Sequence, residues 1–167
     1  MKIELKITDP RLKKDASLLP EYKTAGAAGF DLRACAFQLD GEMHQMRKGL
    51  EVFPGDTVII STGIRFWIKD ATVAGLQIIR SSLGRRGMEL SNGVGLYDSD
   101  YQGDVIVNLR NKNRDTVGGG NSIIIEPLER VAQICLCDIQ VAEFEVVEEF
   151  SESTKRSDGG HGSTGKM

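Results

Sequence analysis

The sequence predicts an all-β domain, a closed barrel or a sandwich, and three observations carry that prediction. Apolar residues recur with period two in short runs, the signature of strands with one buried and one wet face. Strong turn signals separate the runs: Pro54-Gly55, Asn92-Gly93, Gly118–Gly120 and Pro127. Only residues 69–75 and 81–87 read as brief helices, and neither is long enough to cross over between parallel strands. About eight short strands with glycine-marked turns describe a closed or sandwiched antiparallel domain.

Taken in chain order, Ile3, Leu5 and Ile7 alternate with Lys2, Glu4 and Lys6 and predict a first strand with one apolar face. GAAGFDLRA, residues 26–34, reads as a packed strand interrupted by Asp31. Residues 37–49 read as a surface loop or broadened hairpin; they hold Asp40, Glu42 and His44, and one histidine does not make a metal site. Further strands are expected at 58–60, 64–68, 76–79, 105–109, 123–125, 131–136 and 144–147. Residues 1–150 form the predicted β domain. From Ser151 to Met167 the chain is Ser, Thr, Gly and charge, with Met167 the only apolar residue. Such a segment cannot order itself by burial; it is either a disordered tail or an arm that orders over a ligand.

With 167 residues the chain is one domain long, able to bury a core without disulfides or metal. Lys and Arg total 21 against 24 for Asp and Glu, a formal charge of -3. That balance argues against a broad footprint for nucleic acid or an anionic membrane, while leaving room for a local anion pocket. No run approaches the apolar length of a membrane span. Cys135 and Cys137 stand two apart in a predicted strand and face one side, a poor geometry for a bridge. With Cys35 they suggest a reducing interior, the cytoplasm.

Five segments hold the residues suited to chemistry. SNGVGLYDSDYQGD, residues 91–104, gathers Asp98, Asp100 and Asp104 with Tyr97 and Tyr101 behind an Asn92-Gly93 turn, expected to be a hairpin. Backbone groups at such a turn can read a planar heterocycle, a ring can pack on a sugar, and a carboxylate can orient water. A solvated Asp-rich turn has the same composition, so spacing alone does not choose. IRSSLGRRG, residues 79–87, offers Arg80, Ser81 and Ser82 where a strand gives way to a helical turn, a natural phosphate seat or a solvated basic turn. Asp31 needs a partner if buried, and Arg80 suits. In ERVAQICL, residues 129–136, Gln133 is a polar group within an apolar run. KRSDGGHGSTGK, residues 155–166, lacks the order of a Walker motif, but Arg156, Ser163 and Thr164 are suitable phosphate donors and His161 is planar.

Together AAGFDLRA, RSSLGRRG, NGVGLYDSDYQG, ERVAQICL and RSDGGHGSTG, spread from residue 27 to 165, resemble the five ordered motifs of the trimeric dUTPase family. The resemblance implies a jelly-roll subunit, a homotrimer with sites at its interfaces, and Mg2+-assisted hydrolysis of dUTP to dUMP and pyrophosphate. That reaction limits uracil in DNA and supplies dUMP for thymidylate synthesis. By motif position, Asp98 matches the residue that activates the attacking water. Asn92 and the backbone of 93–98, with Gly95 and Tyr97, match the uracil-reading turn. Tyr101 matches the tyrosine packed on deoxyribose. Arg80, Ser81, Ser82 and Gln133 fall at phosphate positions, and Asp31 supports the arginines. Arg156, His161, Gly162, Ser163 and Thr164 match an arm closing from a neighbouring subunit. The metal is expected on substrate phosphates and water, without direct protein ligands.

Three departures stand out. His161 replaces a stacking Phe, RSSL replaces RSG with Ile79 in place of Pro, and residues 37–49 and 118–120 add length. RSSL is typical of dCTP deaminases, so a deaminase or bifunctional deaminase/dUTPase of the same fold is the alternative. Those enzymes place a catalytic glutamate in the strand after the turn, where this chain has Asn108.

Overall fold

The computed structural model describes residues 1–115, 120–154 and 157. Two antiparallel sheets hold nine of the thirteen described strands. The first orders β10 (Gly95–Tyr97), β8 (Val73–Ile79), β13 (Arg130–Asp138) and β2 (Gly29–Arg33). The second orders β4 (Glu42–Gln45), β3 (Ala36–Leu39), β6 (Thr57–Ser61), β11 (Ile106–Asn111) and β9 (Met88–Leu90). Two ribbons complete the set, β1 (Glu4–Ile7) with β7 (Ile64–Trp67), and β5 (Leu50–Val52) with β12 (Ile123–Ile125). The all-β jelly-roll expectation holds.

Alternation explains the packing. In β11, Val107, Leu109 and Asn111 are buried while Ile106, Asn108 and Arg110 face the other way. Leu32 and Ile134 of the first sheet meet Ile60, Val107 and Leu109 of the second in one apolar cluster, which Phe66, Val52 and Ile125 extend into the ribbons. Asp40 and Gly41, at φ 52 and 85, close the β3–β4 hairpin, the left-handed pair that a two-residue turn demands. Residues 37–49 are therefore a hairpin, one of the two forms expected for them.

Several expectations need correction. Leu5 is 41% exposed, because β1 pairs only with β7 and that ribbon leaves it at the surface. A helix, α1 (Pro10–Lys14), follows β1: Asp9 caps it by accepting from the Arg11 backbone N–H at 2.8 Å, with Pro at its start. Residues 69–75 are not helical. Asp70 accepts from the Thr72 N–H at 3.0 Å in an Asx turn, and β-branched Val73 then opens β8. The 81–87 expectation survives as α2 (Ser81–Arg85), followed by Gly87 at φ 100. Residues 144–147 form no strand, since none of the described strands pairs with them; Phe144 and Val146 are 91% and 98% exposed.

Arg11 ties the N-terminal elements down. Its guanidinium grips both Asp9 oxygens, at 3.0 and 2.7 Å, and donates to the carbonyls of Met46 and Cys35, each at 2.5 Å. Burial works against the Asp9 carboxylate, but hydrogen bonds and charge from Arg11 outweigh it and hold the carboxyl below its ordinary range. The three cysteines are free; burial, reinforced by Asp9, raises the Cys35 thiol to about 12. Among the described residues no helix is long and apolar enough to cross a membrane.

Candidate active site

The site begins where the chain changes sheets. After β9 the Ser91 N–H donates to the Asn108 carbonyl at 2.9 Å and the Gly93 N–H to the Leu90 carbonyl at 3.0 Å. Gly93 turns at φ 74, and β10 then pairs with β8, Gly95 opposite Gln77 and Tyr97 opposite Gly75. The Asn92-Gly93 turn is thus not the tip of a paired hairpin. Because β9 pairs with β11 and β10 with β8, it bridges two sheets. A cavity of about 260 Å3 opens beside it, and Asn92, Gly95, Tyr97, Asp98 and Tyr101 all line it. That is slightly below the roughly 300–1,000 Å3 of small-molecule sites, enough for a base and its sugar but not for a triphosphate chain.

The three aspartates of the segment have different surroundings. Asp98 is exposed and lines the cavity; Asp100 is exposed and does not. Asp104 does not line it and is gripped by Arg65 at 2.8 and 3.0 Å. Arg65 also borders a larger cleft of about 550 Å3 along β1 and β7, where Glu4 is likewise paired, with Lys69.

Tyr101 is 40% exposed, its backbone N–H donating to the Asp98 carbonyl at 3.2 Å and its hydroxyl to the Asp104 carbonyl at 3.0 Å. A Cβ on Gly103 would collide with the Tyr101 ring, so the glycine fixes where that ring lies. Tyr97 is buried, its ring 5.3 Å from Phe66 and 5.9 Å from Tyr101. Its hydroxyl donates to the Ile106 carbonyl and accepts from the Gln77 amide, both at 3.0 Å. Burial outweighs its hydrogen bonds and raises this phenol above its ordinary value. Tyr97 is therefore a neutral wall whose hydroxyl is already engaged by the protein.

Gln77, only 2% exposed, is a lining residue that sequence reasoning missed. Its amide also donates to the Ile106 carbonyl at 3.0 Å. An amide inside the run Leu76–Ile79 was the available signal, of the kind that drew attention to Gln133.

The expected phosphate residues lie apart. Asp31 is approached by Arg80 at 3.4 Å, as its sequence context suggested, and also by Arg130 at 3.1 Å, which was not anticipated. Gln133 stands opposite Asp31 across the β13–β2 ladder and opposite Ile78 across β13–β8. Ser81 and Ser82 are exposed at the start of α2. None of these residues lines the Asp98 cavity. Arg156, His161, Gly162, Ser163 and Thr164 lie outside the described residues. Among the described residues no group of three His, Cys, Asp or Glu side chains is placed to hold a metal.

Comparison with known proteins adds an independent line. The dUTPase family model matches residues 15–165. The chain is 46% identical over 168 residues, covering both chains completely, to the deoxyuridine 5'-triphosphate nucleotidohydrolase of Acinetobacter baumannii. In fold it resembles a variant of Staphylococcus bacteriophage 80alpha dUTPase with dUpNHpp, at a TM-score of 0.78, 20% identity and 99% coverage of each chain. It also resembles a variant of the S. aureus phage phi11 dUTPase described as coordinating a structural Mg(II) ion, at a TM-score of 0.73, 17% identity, and 91% and 100% coverage.

Proposed function

The chain belongs to the dUTPase family, and from that premise we infer that it hydrolyses dUTP to dUMP and pyrophosphate. The observation that carries this reading is one exposed carboxylate, Asp98, on the wall of a nucleoside-sized cavity built around a sheet-crossing turn. Backbone groups of residues 93–98 read the base, and Tyr101 packs against the sugar, where a 2'-hydroxyl has no room. Asp98 then faces the first phosphate. It orients a water and takes its proton as the oxygen bonds to the α-phosphorus; the bond to the bridging oxygen breaks and pyrophosphate leaves.

Charge on the phosphate chain is met by Arg80, Ser81, Ser82 and Gln133, with Asp31 holding Arg80 and Arg130 in place. These residues line none of the cavity, which supports a site shared between subunits of a homotrimer. So does the segment after β13: Val141, Phe144, Val146 and Phe150 are 81–98% exposed, an apolar strip that a neighbouring subunit would cover. The segment 151–167 serves as an arm, with Arg156, Ser163 and Thr164 donating to phosphates and His161 stacking on the base. Its closure excludes water from the reacting phosphorus.

Mg2+ would be held mainly by oxygens of the substrate phosphates and by water, donors that suit a hard cation, and it would supply neutralisation of phosphate charge. The -3 net charge supports a partner set without nucleic acid or membrane. Three free thiols support action in the reducing cytoplasm.

The test is incubation with each deoxynucleoside triphosphate and Mg2+, resolving monophosphate, pyrophosphate and ammonia. dUMP with pyrophosphate from dUTP is the expected product pair; ammonia from dCTP would instead make the protein a deaminase.

A further inference from the structure

Among the described residues, one buried side-chain oxygen or nitrogen has no hydrogen-bond partner: Oδ1 of Asn108. Asn108 lies on β11, two residues after Ile106 and on the same face, and lines the Asp98 cavity. Its backbone is fixed, because its carbonyl accepts the Ser91 N–H at the foot of the turn. The neighbouring buried donors at this wall are engaged elsewhere. The Gln77 amide nitrogen donates to the Tyr97 hydroxyl and to the Ile106 carbonyl, and the Tyr97 hydroxyl donates to that same carbonyl. None of these donors turns to Asn108. A buried acceptor left unpaired is costly, and it persists at a site where a ligand supplies the missing hydrogen.

Position indicates which part of the ligand that is. Asn108 is tied to the entry of the turn at Ser91, whereas Asp98 and Tyr101 follow β10 at its far end, so Asn108 belongs to the base end of the cavity. A carboxamide presents an acceptor and a donor side by side. The edge of a pyrimidine-2,4-dione offers the complement, a ring N–H next to a carbonyl, as amide side chains pair with base edges elsewhere. Cytosine has a lone pair at the same ring nitrogen and would set it against the Asn108 oxygen.

We propose that Asn108 is a specificity-determining residue of the base pocket, its Oδ1 accepting the N3–H of uracil and thereby favouring uracil over cytosine. The proposal rests on reading the cavity as the nucleoside site and adds a side-chain contact to the backbone reading. It assigns Asn108 no part in proton transfer.

The test is calorimetric titration of dUMP and dCMP into the full-length protein, its Asn108→Leu variant, which keeps the volume but removes the acceptor, and Asn108→Ala as the smaller alternative. Thermal midpoints are recorded without ligand. The wild-type protein should prefer dUMP. In the variants that preference should fall by about tenfold, one hydrogen bond's worth of affinity, through weaker dUMP binding with dCMP little changed and the thermal midpoint retained. A preference kept by either folded variant overturns the proposal. So does equal weakening of both ligands, or loss of the fold in both variants, since either assigns Asn108 a structural task. If wild-type protein binds neither nucleotide, the reading of the cavity fails before Asn108 is at issue.

Discussion

Around Asp98 a single chain builds a walled cavity from neighbouring strands, with its buried hydroxyl and amide engaged in internal hydrogen bonds. Around Asp31 the same chain gathers Arg80, Arg130 and Gln133 across three adjacent strands, and none of them reaches that cavity. The first region has the size of a nucleoside. The second has the charge that a triphosphate needs. The difference teaches that one chain keeps a nucleoside-sized wall and a cationic cluster in separate places, the arrangement that the proposed two-subunit site would join.

The largest expected effect falls on the cavity. Asp98→Asn should lower kcat about a thousandfold, the scale of a lost general base, while dUMP affinity stays near the wild-type value. If turnover survives, the carboxylate does not activate the water and the contrast loses its catalytic half.

Asp9→Asn is the control that lies in neither region. Removing half of the largely buried Asp9–Arg11 pair should cost about 3 kcal/mol at neutral pH, read from denaturant unfolding, with chemistry preserved in the protein that remains folded. The pH sign follows from its direction. Because the folded-state pKa lies below the unfolded value of about 3.9, the ionised pair contributes fully above pH ~4 and is lost as pH falls through the lower folded value. The gap between variant and wild type should therefore close in acid.

Asp31→Ala probes the second region. Releasing Arg80 and Arg130 should reduce kcat/KM for dUTP by roughly thirtyfold, near 2 kcal/mol of charge-assisted hydrogen bonding, with dUMP affinity changing far less. An equal loss for both nucleotides would merge the two regions into one. The smallest effect belongs to Gly103→Ala. Its new methyl must displace the Tyr101 ring, raising KM by about fivefold, near 1 kcal/mol, with kcat less affected.

Much of this contrast is legible in the sequence. Period-two runs at 58–60, 64–68 and 105–109 became β6, β7 and β11, since alternation reports a half-buried strand directly. Asn92, Gly95, Tyr97, Asp98 and Tyr101 came together because they are neighbours in sequence around one turn. Reading failed where structure depends on what lies opposite. Asn92-Gly93 resembles a hairpin tip, yet its flanking strands pair with β11 and β8. Residues 144–147 have strand composition but no partner strand among the described residues. Spacing groups Asp104 with Asp98, but not with its long-range partner Arg65, which the sequence gives no means to foresee. Gln77 offers only a weak sequence signal and Asn108 stands out only by its place in the family comparison, because an isolated amide in an apolar strand looks the same whether or not its hydrogen bonds are met inside the protein. The capped helix after Asp9-Pro10 was a missed local signal.

The central claim is that the Asp98 cavity of one subunit works with the Arg80 cluster of another. Asp98→Asn and Arg80→Ala proteins, each nearly inactive alone, should be unfolded together, refolded as a mixture and assayed with dUTP. Random assembly should leave about a quarter of the sites with both regions intact, and that fraction of wild-type activity should return. A mixture no more active than its two components would contradict the account.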